Sequence, residues 1–116
     1  MNPIPLNLPP GAECSNYLYH NMTVADLTQD ILTVRLSNGS YIDVGWYPEH
    51  DTTGRFVIRV FQGYWDKQIL GRPITTRDTR EAVYAVELLA KHFSREQVPV
   101  LRSGENRVAK VLTRAN

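Results

Sequence analysis

Glu49-His50-Asp51 is the densest cluster of chemistry-bearing side chains in this chain of 116 residues. A histidine between two carboxylates can move protons or lend a ligand to a metal. A metal, however, needs three or more ligands brought together, and His20 and His92 stand at no ligand-like spacing from His50. The expectation is therefore a solvated loop. His92 falls near the end of a helical pattern, where it complements the helix dipole. Cys14, the only cysteine, has no local base to make it a thiolate nucleophile, so an inert thiol is expected. There is no phosphate-binding loop, dinucleotide fingerprint, nucleophile elbow or zincin motif. No catalytic residue, metal site or cofactor is assigned, and an enzyme working through the His50 loop is the least favoured functional reading.

A second constellation is better suited to binding than to catalysis. Arg35, Arg55 and Arg59 share an alternation phase with Tyr41 and Tyr47, and arginines interleaved with aromatics suit stacking on nucleic-acid bases. Asp43 falls on the same face, and strand arginines are also ordinary cross-strand partners of acids. Val57 and Phe61 lie in this phase too, which makes the face more apolar than solvation requires. Tyr64 and Trp65 extend an aromatic cluster with Phe61, read either as sheet-end core or as an interface, where Tyr, Trp and Arg are enriched. Arg35, Tyr41, Val57, Arg59, Phe61, Tyr64 and Trp65 are the candidate binding residues.

The elements that must position these side chains follow from periodicity. Leu32, Val34 and Leu36 alternate with Thr33, Arg35 and Ser37, which predicts a half-buried strand. Asn38-Gly39 marks a hairpin, and Ile42, Val44 and Trp46 alternate in the returning strand. A two-residue turn would set Asp43 opposite Val34. A three-residue turn, with Gly39 in the left-handed region, instead pairs Val34 with Ile42 and Leu32 with Val44, and this register is expected because it keeps the acid off the apolar face. Arg55 to Gln62 is the third strand, and residues 64–70 are a possible short fourth.

Thr23 as cap, Asp26 three residues later and a Met22–Leu27 staple predict a short helix over 24–29. After Thr75-Thr76, Asp78 and Glu81 suit a helix start, and Ala82, Val83, Val86, Leu89, Ala90 and Phe93 recur at helical spacing. The fold class is therefore α+β: an antiparallel three- to four-stranded β-meander packed against one C-terminal amphipathic helix, with a short N-terminal helix. The order helix, three strands, helix is similar to that of double-stranded RNA-binding domains. Those open their second helix with a run of lysines, whereas this chain has Arg77-Asp78-Thr79-Arg80-Glu81, so no family is assigned.

Residues 1–14 form a Pro-rich arm that excludes helix, either frayed or docked through Ile4, Leu6 and Leu8 on the domain or on a second subunit. Residues 15–94 form the α+β domain and residues 95–116 a basic tail. The tail holds five basic and two acidic residues, a net +3 that leaves −2 on the body of a chain whose total is +1. So balanced a charge argues against a wholly electrostatic nucleic-acid or membrane binder. One cysteine excludes an intramolecular disulfide, and no apolar run reaches membrane-spanning length, so the expectation is a cytoplasmic protein. The favoured function is a non-catalytic protein-interaction module, self-associating as a homodimer. The alternative is a nucleic-acid-binding domain using the sheet arginines and the tail.

Overall fold

The alternation of apolar and polar residues builds a single antiparallel sheet, described here from a computed structural model over residues 2–63 and 67–94. Its strands are β1 (Glu13–Asn16), β2 (Leu32–Arg35), β3 (Ser40–Tyr47), β4 (Arg55–Gln62) and β5 (Ile74–Thr76), and they lie side by side in chain order. One helix, α1 (Thr79–Ser94), packs on one face. The α+β class and the meander with its C-terminal helix stand as expected.

Three details of the expected fold need correction. The sheet has five strands rather than three or four, because the short segments Glu13–Asn16 and Ile74–Thr76 pair at its two edges. Neither is long enough to display an alternation of its own. The expected fourth strand over 64–70 falls partly outside the described residues; within them it is an isolated bridge between Phe61 and Gln68, extended by a bond from the Ile69 amide to the Val60 carbonyl. The short N-terminal helix is only a 3-10 turn, Val24–Asp26. Its start signal is real, since Asp26 Oδ2 accepts from both the amide and the hydroxyl of Thr23. It stops at once because the chain must leave to run along β3, where the Thr28 carbonyl accepts from the Trp46 amide and the Ile31 amide donates to Val44.

The β2–β3 hairpin has the register that face matching requires. Leu32 pairs with Val44 and Val34 with Ile42, leaving Thr33 opposite Asp43 and Arg35 opposite Tyr41. Three residues close the turn: the Leu36 amide donates to the Ser40 carbonyl, and Gly39 takes a φ of 91° that a side chain would strain. Asn38 then ties the hairpin to the helix end by donating from Nδ2 to the Phe93 carbonyl at 2.6 Å.

The helix begins at Asp78, whose Oδ1 accepts from the Arg80 amide at 2.8 Å and so caps the first turn. Ala82, Val86, Leu89, Ala90 and Phe93 form its buried stripe and join Val34, Ile42, Val44, Trp46, Phe56, Ile58 and Val60 in one core. The Pro-rich arm is docked on the domain: Ile4 is buried in this core, and Leu6 and Leu8 pack against it. The Glu13–Asn16 strand spans the boundary drawn between arm and domain at residue 14.

Candidate interaction surface

The pleat sends alternate residues of every strand away from α1. By register, Glu13 and Ser15 of β1, Thr33 and Arg35 of β2, Tyr41, Asp43, Gly45 and Tyr47 of β3, and Arg55, Val57, Arg59 and Phe61 of β4 share this second face, with Thr75 of β5 beside Val57. The helix α1 lies on the other face, and on this one the Gln29 backbone sits close over Gly45. Val57 and Phe61 belong to this face and not to the core that α1 covers.

Two arginines on this face are stacked on tyrosines. The Arg35 guanidinium lies 5.9 Å from the Tyr41 ring centre, and that of Arg59 lies 5.3 Å from the Tyr47 ring centre. The first pair sits directly across β2 and β3. The second spans rows: Arg59 is opposite Asp43, and Tyr47 is opposite Arg55, so the contact bridges the row of Gly45 and Val57. Val57, in the row with Gly45 where the Gln29 backbone lies close, is only 8% exposed although α1 is on the other face.

Between the two stacks lies Asp43, half-buried between Thr33 and Arg59 in register. Burial pushes its carboxyl up to about 6, outweighing the pull of the Arg59 charge, and the Asp30 carboxylate adds a smaller push upward. Desolvation disfavours the charged form of a carboxyl, and one guanidinium already engaged with a ring does not fully compensate. The tyrosine hydroxyl at the other end of the face is anchored as well, since Tyr41 donates to the Gly63 carbonyl.

Of the residues singled out from sequence, Arg35, Tyr41 and Arg59 come together here. Val57 and Phe61 are on the same face but are 8% and 5% exposed in the single chain, so they offer a partner little surface of their own. Tyr64, Trp65 and the basic tail lie outside the described residues. Tyr47, Asp43 and Gly45 complete the site. The signal for them was Gly45 itself, because a glycine inside a strand marks a close approach of another backbone. Here a Cβ on Gly45 would lie 2.4 Å from the Gln29 carbonyl oxygen.

The Glu49-His50-Asp51 segment works as a structural clasp. Glu49 Oε2 accepts from the Gln29 amide, the His50 amide donates to the Leu27 carbonyl, and His50 Nδ1 meets the Val24 carbonyl at 2.9 Å. Asp51 Oδ1 accepts from the amide and hydroxyl of Thr53, which holds its carboxyl below the usual carboxylate range, and its backbone carbonyl accepts from Trp46 Nε1 at 2.7 Å. Arg77 reaches the same loop by donating from Nη2 to the Thr52 carbonyl. Among the described residues, no group of three His, Cys, Asp or Glu side chains is placed to hold a metal ion, and no helix is long and apolar enough to cross a membrane. No family model, curated protein or solved structure matches the chain.

Proposed function

We propose that this domain is a non-catalytic protein-interaction module that pairs with a second copy of itself through the open sheet face. The observation that carries the reading is the arrangement of Arg35 on Tyr41 and Arg59 on Tyr47 on either side of the half-buried Asp43. Arginine and tyrosine are the residues on which binding energy concentrates, and stacking fixes each guanidinium before a partner arrives. The face also carries both signs of charge, Arg35, Arg55 and Arg59 with Glu13 and Asp43, so it complements itself. A copy turned about a two-fold axis sets arginines over carboxylates, and one patch suffices to close the dimer. A single exposed thiol, Cys14, fits a reducing compartment, and we place the protein in the cytoplasm.

Amide chemical shifts recorded over a concentration series test where association occurs. Shifts that move at Thr33, Asp43 and Arg59 while Tyr84, exposed on the far side of α1, stays fixed support the face; the opposite pattern removes it.

The Arg–Tyr stacks also favour a second reading, in which bases of a single-stranded nucleic acid stack on the guanidinium planes. Asp43 and Glu13 on the same face oppose it. Binding of this kind would be weak and steeply salt-dependent, and tight binding to single- or double-stranded probes at high salt, read by fluorescence anisotropy, would contradict that description.

A further inference from the structure

The strand β1 is the outer edge of the sheet, and an uncovered edge offers unpaired amide and carbonyl groups to any extended segment. The chain's own arm meets this edge at the end of β1 and just beyond it. The Ile4 amide donates to the Leu18 carbonyl at 2.8 Å, and the Ile4 carbonyl accepts from Asn16 Nδ2 at 2.8 Å, so both backbone polar groups of Ile4 are engaged at the end of β1. The Ile4 side chain is 7% exposed and belongs to the core. Pro3 and Pro5 flank it, and neither has an amide proton to offer a strand arriving from outside. Further along, the Asn7 amide donates to Glu87 Oε2 of α1 at 2.7 Å, which straps the arm across to the helix before the chain turns back into β1.

Independently of the open-face reading, we infer that residues 2–8 are an edge guard. The strap keeps the β1 edge from pairing, and its release opens that edge to antiparallel pairing with β1 of a second copy. The second copy is the fitting occupant because two identical edges related by a two-fold axis run antiparallel by construction. Centred on Cys14, such a pairing sets Glu13 opposite Ser15, so no acid faces an acid, and the side chains of Glu13, Cys14 and Ser15 are all exposed. The remaining free edge is short while the strap is on, which is how sheet proteins suppress unwanted strand addition.

The test uses Ile4→Asp in the full chain, with the near-ultraviolet dichroism of Trp46 reporting the fold. A short bis-maleimide joins two thiols only where they lie close. Cys14 shares its sheet side with Val34, toward α1, so its cross-linking reads edge pairing and not association of the open faces. The guard predicts at least a tenfold rise in Cys14 cross-linking over the parent, unchanged by adding Arg59→Ala, and a dimer mass that Cys14→Lys on the edge reverses. Folded Ile4→Asp with parental cross-linking overturns the inference. If Ile4→Asp does not fold, Glu87→Ala loosens the strap at its exposed end: increased cross-linking supports the guard, and parental cross-linking overturns it.

Discussion

Arg59 and Tyr47 meet with 5.3 Å between guanidinium and ring centre although Arg59 pairs with Asp43 and Tyr47 with Arg55. Between them lies the row of Gly45 and Val57. The same glycine lets the Gln29 backbone lie against β3, with its carbonyl oxygen 2.4 Å from where a Cβ would stand. The obstacle is backbone and cannot swing away. Gly45→Ala should therefore destabilise the domain by about 2–3 kcal/mol, in the range of overpacking within a tightly packed core. Urea denaturation measures it, and a loss below about 0.5 kcal/mol, the usual size of an uneventful surface change, would show that the 28–31 segment is not held there.

Asp43 gives the domain an acid-side stability slope. Its folded carboxyl titrates at about 6 against 3.8 when unfolded, so between these values the folded chain holds the proton more tightly. Stability falls as pH rises through that window, and the full penalty is present above pH 6. After discounting for solvent screening of a half-buried group, the penalty is about 1 kcal/mol. Asp43→Asn should stabilise the isolated chain by about that much at pH 7 and flatten the slope between pH 4 and 6. Thermal melts across that range decide it; an unchanged slope would assign it to other groups.

Ser40 is fully buried on the core face of β3, and its hydroxyl oxygen has no hydrogen-bond partner among the described residues. A buried, unsatisfied hydroxyl carries a desolvation penalty of about 1–3 kcal/mol. Ser40→Ala removes it with almost no change in volume, so a gain of about 1 kcal/mol is expected, again by urea denaturation. A loss of stability would mean that the hydroxyl is satisfied in solution.

Much of this fold is legible in the residue pattern. The β2–β3 register followed from keeping Asp43 away from Val34, and the stripe of Ala82, Val86, Leu89, Ala90 and Phe93 fixed which face of α1 is buried. Short elements were not legible, because three or four residues such as Ile74–Thr76 show no period, and their pairing is decided by the strand already beside them. The site was legible only in part. Arg35, Tyr41 and Arg59 declared themselves by alternation, but the Arg59–Tyr47 contact crosses rows, and alternation identifies a face without saying which side chains on it touch. Val57 and Phe61 looked like apolar surface in need of a cover, yet both are buried within the single chain. The case for a partner therefore rests on the stacked arginines and Asp43.

Sedimentation equilibrium of the parent chain and of Arg35→Ala/Arg59→Ala, at neutral pH over a micromolar concentration series, tests that case most directly. Both arginines are on the face away from α1, so the variant should keep its fold while losing two charges that the proposed dimer would set against carboxylates of a second copy. The parent should approach twice the chain mass as concentration rises, and the variant should shift this equilibrium at least tenfold toward monomer. A parent that stays monomeric throughout the series, or a variant that dimerises as well as the parent, would overturn pairing through this face.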